Sequence, residues 1–310
     1  MLGIATLNPL SPQAHSISSL FVGILFFLFA IFLLVTSLIT IIVLRFRERP
    51  DGDEPRPVFG SRVIEITWTA IPFLSLVIIF FFMVRTMHAA DPPPGDRKPD
   101  IDIVGHQWWW EADYLQSGVM AANEIHIPVD TPILVQVDSA DVIHDFWVPE
   151  LARKVDAVPG HPNHLWLQAD QPGEYLGACA EFCGQEHAWM RIKVIAQSKE
   201  DFDAWQRAQL SVPATPADGE AGQGAKLFVA DTCVNCHTIV GTPGNQRIGP
   251  DLTHIASRTT LGAGAAENTQ ENLYRWLKDP DSIKPQSHMP NFQLSDADAH
   301  ALTAYLETLK

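Results

Sequence analysis

Basic residues are scarce in this chain: its 310 residues carry 21 Lys and Arg against 36 Asp and Glu, a formal net charge of -15. That balance argues against a nucleic-acid partner, because phosphate recognition requires a basic footprint. An acidic surface suits a basic protein partner, whose approach it would steer. Cysteine is scarce too, with only Cys179, Cys183, Cys233 and Cys236. Both pairs fall inside ligand-like spacings, which leaves none for a disulfide framework.

Charge disappears altogether between Ile17 and Leu44, a stretch of 28 residues. As a helix it would run about 42 Å, longer than a hydrocarbon core of about 30 Å, so it should tilt or protrude. Ile66–Val84 is a second uncharged stretch, of 19 residues, with Pro72 near its start. Two such stretches make a membrane hairpin, and lipid is the expected surrounding. Residues 1–16 contain no Lys or Arg and no lipid-attachment cysteine. The first stretch therefore lacks the basic n-region of a cleaved signal and is expected to remain as an anchor. Arg45, Arg47, Arg49, Arg56 and Arg62 lie between the two stretches. The positive-inside rule puts that connection in the cytoplasm and both termini outside. Glu65, at the cytoplasmic edge of the second stretch, is either a solvated boundary carboxylate or a proton entrance.

Residues 89–100 are rich in Pro and Asp and read as a linker. Short strand-like runs follow at Ile101–Val104, Ile125–Ile127, Ile133–Val137, His164–Gln168 and Arg191–Ile195, separated by turn residues such as Pro159-Gly160. Short strands without helical periodicity predict a β-sandwich or barrel. The Trp108-Trp109-Trp110 run breaks simple alternation, so at least one ring should face outward or cover a cofactor.

Within this region, Cys179-x3-Cys183-x3-His187-x2-Met190 sits between two expected strands, with His144 upstream. Two thiolates four residues apart can bridge a pair of copper ions, while imidazole and thioether complete the coordination by softness. A mononuclear blue-copper site needs one cysteine. A Cys2His2 zinc knuckle is the structural alternative, although Met190 and the distant His144 suit it less well.

Ser211–Gly224 is a polar connection. Beyond it, Cys233-Val234-Asn235-Cys236-His237 is the covalent haem attachment motif, with Cys233 and Cys236 as thioethers and His237 as proximal ligand. His254, His288, His300 and Met289 are candidates for the sixth ligand. Met289 is favoured because Pro290 keeps the chain extended beside it and a thioether raises the iron potential. Helices are expected over Gln270–Leu277 and after Ser295, the latter with an inward stripe of Leu302, Tyr305, Leu306 and Leu309.

Residues 17–198 resemble subunit II of haem–copper cytochrome c oxidases. The resemblance lies in Gly105-His106-Gln107-Trp108-Trp109-Trp110, Asp141-Val142-Ile143-His144 and Cys179-Ala180-Glu181-Phe182-Cys183-Gly184. Residues 219–310 resemble class I cytochromes c through the haem motif, Ile248-Gly249-Pro250-Asp251-Leu252 and Met289. The resemblance implies a two-helix transmembrane hairpin (1–90), an all-β cupredoxin sandwich (101–198), a linker (199–218) and a small all-α cytochrome c domain (219–310).

By that resemblance Cys179 and Cys183 bridge the two coppers of a CuA centre. His187 and the Glu181 carbonyl complete one copper, and His144 and Met190 the other. The Glu181 side chain would reach a magnesium or manganese ion beside subunit I. Trp108 would admit electrons from cytochrome c, and Glu65 would lie at the mouth of a proton pathway. Asp141 and Asp156 match acidic positions of the docking and interface region. A haem domain joined to a CuA domain resembles the caa-type oxidases. The chain is then expected to carry electrons from cytochrome c through haem c and CuA to subunit I of a proton-pumping oxidase, with subunit III alongside. A membrane-anchored redox shuttle outside any oxidase is the alternative. A quinol oxidase subunit would lack the copper ligands, and the chain has no room for the catalytic domain of nitrous oxide reductase. A copper-delivery protein would leave the haem motif unexplained.

Overall fold

A computed structural model describes residues 4–47, 57, 59–90, 96–230 and 233–310. It separates into two compact units, one of residues 15–90 and one joining residues 1–14 to 91–310. The first unit holds α1 (Pro12–Arg45) and α2 (Arg62–Ala90). At 34 and 29 residues, both outrun the uncharged stretches that generate them. Among the described residues these are the helices long and apolar enough to cross a membrane. Hydroxyls within them donate to the carbonyl four residues back, as Ser75 does to Ile71 at 2.8 Å and Thr40 to Thr36 at 2.8 Å. Such internal pairing is what an apolar surrounding demands of a polar side chain. Pro72 lies inside α2. Arg45 ends α1 and Arg62 begins α2, while Arg49 and Arg56 lie outside the described residues.

In the second unit, two five-stranded sheets face each other. One has the order β3 (Met120–Ala122), β2 (Trp109–Tyr114), β1 (Ile101–His106), β5 (Ile133–Ser139), β8 (Asn163–Leu167). The other runs β4 (Glu124–Pro128), β10 (Arg191–Gln197), β9 (Gly173–Cys179), β6 (His144–Trp147), β7 (Val155–Ala157). The inner faces bury Ile103, Trp110, Ile125, Val135, Phe146 and Val194 completely. β1 and β10 alternate strictly between buried and half-buried residues, which is why both are legible as strands. β2 does not: five of its six residues are buried, because the following domain covers its outer face. All three tryptophans of the 108–110 run are buried. Trp110 fills the core, Trp109 packs with Ala122 and Ala263, and Trp108 covers the cysteine loop described below.

The expected linker over 199–218 is corrected for its first half. Residues Lys199–Gln209 form α3, capped by the Ser198 side chain, which accepts the Asp201 N–H. The helix forms because Phe202 and Trp205 can bury themselves against the sandwich core. Trp205 stacks on His126 with centroids 4.1 Å apart. The polar connection is likewise shortened at its far end, where Gly219 already begins α4.

The C-terminal domain comprises α4 (Gly219–Ala230), α5 (Gln270–Lys278) and α6 (Asp296–Leu306), with a two-stranded ribbon, β11 (Thr260–Leu261) and β12 (Ala266–Glu267). The expected inward stripe is buried, with Leu302, Tyr305 and Leu306 of α6 and Leu309 just beyond it all 3% exposed or less. α4 crosses α6 at Gly224, where any Cβ would strike the Ala301 carbonyl. Gly224→Ala should therefore push the helices apart and destabilise this domain by about 1–3 kcal/mol. Thermal unfolding of the purified full chain, followed by circular dichroism, measures that loss.

This domain packs on the sandwich through polar contacts. Glu124 is buried, and its carboxylate accepts the Thr259 and Thr260 hydroxyls at 2.7 Å each and the Thr260 N–H at 2.8 Å. Arg247 reaches Glu111 at 3.0 Å and Asp113 at 2.8 Å. Burial pushes the Glu111 carboxyl up to about 7, with Asp113 adding to the rise and Arg247 opposing it. The guanidinium is half exposed, so water weakens its pull. Between the ordinary value of 4.5 and about 7, the folded chain holds a proton that the unfolded chain has lost. Stability from this group is thus complete below pH 4.5 and fades as pH rises through about 7. Denaturant unfolding across that window should show a fall on the order of 2 kcal/mol, and Glu111→Gln should remove it.

Candidate metal and haem centres

Strand pairing builds the first site. Cys179 is the last residue of β9 and Arg191 the first of β10, paired antiparallel so that the Cys179 N–H donates to the Met190 carbonyl at 2.9 Å. The intervening loop holds Glu181, Cys183 and His187. β6 pairs with β9 on its other side, matching Phe146 to Cys179, and this delivers His144 to the same spot.

The two sulfurs lie 3.7 Å apart. His144 Nδ1 is 3.9 Å from Cys179 Sγ, and His187 Nδ1 is 3.7 Å from Cys183 Sγ. Met190 Sδ is 3.9 Å from Cys183 Sγ, and the Glu181 carbonyl oxygen is 3.2 Å from Cys179 Sγ. The other four expected donors therefore converge on the thiol pair. His144, Cys179 and Cys183 are buried, as a group able to hold a metal. Two soft sulfurs at bridging distance, with one imidazole near each and a thioether, fit a copper pair better than a zinc knuckle.

The shell around these donors is equally ordered. Asp141, expected only as an interface carboxylate, faces His144 Nε2 at 2.8 Å. It also accepts N–H bonds from Gln107 at 2.6 Å and Val142 at 2.6 Å. Burial opposes its charge, but these donors outweigh it and hold the carboxyl below its ordinary range. Burial likewise works against a charged His144, yet the bonds to Asp141 and Cys179 prevail and raise it. The thiol pair shares its protons unevenly: the hydrogen bond between the two sulfurs pushes Cys179 down and Cys183 up. Trp108 Nε1–H donates to the Cys183 carbonyl at 3.0 Å and Gln107 Nε2–H to the same oxygen at 2.7 Å. A Cβ on Gly105 would meet His144 Cδ2 at 2.8 Å, so the strand itself backs the ring.

In the second site, Cys233 and Cys236 lie half-buried on a short turn, with the His237 N–H donating to the Cys233 carbonyl at 3.0 Å. His237 Nδ1 is 2.8 Å from the Pro250 carbonyl. A carbonyl can only accept, so Nδ1 carries the proton and Nε2 keeps its lone pair for a metal. The ring rests against Gly249, where a Cβ would meet Nδ1 at 2.8 Å. Met289 borders the same core as Cys233, and Trp276 Nε1–H points at its sulfur at 3.1 Å. Of the alternative ligands, His288 packs on Trp108 and His300 stacks on Tyr274, each with centroids 4.4 Å apart. His254 is buried with neither ring nitrogen paired among the described residues. A turn with paired thiols, an imidazole of fixed tautomer and a nearby thioether fit a haem.

Comparison with known proteins identifies the family. The pattern described as "Cytochrome C oxidase subunit II, periplasmic domain" matches residues 117–197, and its transmembrane counterpart matches residues 3–85. The pattern described as "Cytochrome c" matches residues 221–310. Cytochrome c oxidase subunit 2 of Alkalihalophilus pseudofirmus is 37% identical over 99% of this chain and 91% of its own length. The chain belongs to the cytochrome c oxidase subunit II family. The Bacillus subtilis subunit is 34% identical over 87% of this chain and 81% of its own. The crystal structure of the periplasmic domain of subunit II of cytochrome oxidase from Bradyrhizobium japonicum aligns at 33% identity with TM-score 0.35. It covers 36% of this chain and 95% of that one.

This family member therefore has the expected fold of two apolar helices, a cupredoxin-like sandwich and a helical cytochrome c domain, and its work is part of an oxidase. Glu65 lies in the first turn of α2, exposed. The Glu181 side chain is exposed and lines a groove of roughly 520 Å³ with Asp156, Phe182 and Ile143. Sequence reasoning missed Gln107 as a partner of the cysteine loop, and also Glu186 and Lys284, which meet at 3.1 Å in full burial. No motif marks Lys284, since its partners lie about a hundred residues or more away.

Asp141→Ala should leave the fold intact but loosen His144, weakening copper retention about 10–100-fold. Titration of the loaded protein with a competing chelator measures it.

Proposed function

We propose that this chain is the electron-receiving subunit of a caa-type, proton-pumping cytochrome c oxidase. A haem c would be held covalently by Cys233 and Cys236 and ligated by His237 and Met289, and it would accept electrons from an external cytochrome c or equivalent donor. Electrons would then pass by Trp108 to CuA, held by His144, Cys179, Glu181, Cys183, His187 and Met190, and on to subunit I. The observation that carries this reading is the convergence of the other four donors on the buried Cys179–Cys183 pair in a chain that also bears a CxxCH turn.

Both centres, when filled, take up and release one electron at a time. The residues supply rigidity for that exchange. Backbone pairing of β6, β9 and β10 limits how far the ligands can move as charge changes. Asp141 fixes the His144 ring, and the Pro250 carbonyl fixes the His237 ring.

Placement in a membrane follows from α1 and α2. The reading is a multi-pass anchor in a bacterial inner or cell membrane, with both metal-bearing domains on the outer side. In support, residues 8–11 lie along the copper domain: the Leu10 N–H donates to the Glu150 carbonyl at 2.8 Å, and the Asp170 N–H to the Leu10 carbonyl at 2.9 Å. The N-terminal segment and the copper domain thus belong together. Exposed Val142, Ile143 and Phe182 beside the cysteine loop form an apolar patch suited to subunit I. Glu181 would reach a magnesium or manganese ion there, and Glu65 would admit protons from the cytoplasm. Subunit III and lipid would complete the surroundings.

Cys179→Ser or Cys183→Ser in the assembled oxidase should abolish the near-infrared copper band and steady-state oxygen uptake. Haem c should stay reducible by added cytochrome c. Uptake at the unsubstituted rate would defeat the assignment.

A further inference from the structure

The contact between the two outer domains falls at one of the proposed redox waypoints. Trp108, whose indole donates to the Cys183 carbonyl at 3.0 Å, is only 6% exposed. On its other side lies His288 of the haem domain, with ring centroids 4.4 Å apart and planes inclined at 52°. His288 directly precedes Met289 in the chain. One ring contact and one hydrogen bond therefore join the segment beside the proposed iron ligand to the backbone of a proposed copper ligand.

Lys284 holds this contact closed. It leaves the haem domain, is 4% exposed, and its ammonium donates to the Trp108 carbonyl at 2.7 Å. The same ammonium pairs with Glu186 at 3.1 Å, and Glu186 is 1% exposed. Glu186 belongs to the loop that carries Cys183 and His187. The lysine thus ties the haem domain both to the tryptophan and to the cysteine loop. A pair so deeply buried is a strong constraint on geometry, because either charge left alone in that setting is costly.

We infer that Lys284 is a positioning residue that latches the haem domain onto the copper domain in its electron-transferring orientation, with the His288–Trp108 ring contact as the crossing point. The inference rests on the reading that haem c passes electrons to CuA within this chain. In each event the haem iron loses one electron and the copper pair gains it, without proton transfer. The latched state also buries Trp108, so a soluble donor can reach only the haem domain. Association is replaced by a standing contact, a stronger condition than the raised local concentration a tether provides.

The test uses the purified oxidase containing the full chain. A photoexcited ruthenium dye injects one electron into haem c, and the near-infrared copper band reports its arrival. In the unsubstituted protein the internal rate should not change with added glycerol. Lys284→Met strands the Glu186 charge and should lower the latched fraction about 100-fold or more. Transfer then slows and becomes viscosity-dependent as the domain must search for its seat, with haem and copper spectra intact. The double variant K284M/E186Q removes both charges and should recover much of the rate. His288→Ala should slow transfer roughly tenfold while leaving it viscosity-independent, because a small displacement along the path is enough; His288→Phe should restore it.

Unsubstituted rates in both Lys284→Met and His288→Ala would overturn the latch while leaving the proposed route standing. If the unsubstituted protein shows no internal transfer at all, the route itself falls, and the latch with it.

Discussion

The pairing of β9 with β6 on one side and β10 on the other is the constraint on which the copper centre depends. It sets Cys179 at the end of one strand, Met190 directly before the return strand, and His144 on the neighbouring strand. Three of the proposed ligands are thereby placed in or directly beside backbone ladders. Only Glu181, Cys183 and His187 lie on the connecting loop, and the Cys179–Met190 hydrogen bond closes that loop at its base. A one-residue slip of β9 against β6 would turn Cys179 to the opposite face of the sheet. The buried partners Phe146 and Val194 oppose such a slip.

Around that frame, several polar groups hold their neighbours in place. Asp141 holds His144, Gln107 and Trp108 hold the Cys183 carbonyl, and Glu124 holds the β11 segment of the haem domain. Each carboxylate pays a desolvation cost that several donors offset. Glu111 shows the opposite balance: its partner Arg247 is half in water, and its carboxyl is pushed toward the neutral form. The interface between the outer domains is thus built from hydrogen bonds and ion pairs more than from apolar area. Small apolar contacts such as Trp109 with Ala263 fill the remainder.

Much of the fold is legible where a single periodicity governs a segment. The two uncharged runs, the alternating strands β1 and β10, and the inward stripe of α6 each follow from local pattern. Legibility fails where burial comes from a distant part of the chain. β2 reads poorly because the haem domain covers its outer face, and α3 reads as linker because its burial rests on only two aromatic side chains, Phe202 and Trp205. The same limit hides Lys284, whose partners Glu186 and Trp108 have no sequence relation to it.

The sequence by itself determined which donor atoms are available: cysteines four apart with His and Met at loop spacing, and a CxxCH motif, are local features of the chain. It also determined the two apolar helices of the anchor, because an uncharged helix of that length has few stable surroundings other than lipid. Tertiary structure alone decided how His144 joins a loop thirty-five residues away, why Asp141 faces it, and that Trp108 lies between the two outer domains. Those facts depend on which strands pair and which surfaces become buried together, and both are properties of the whole packed chain.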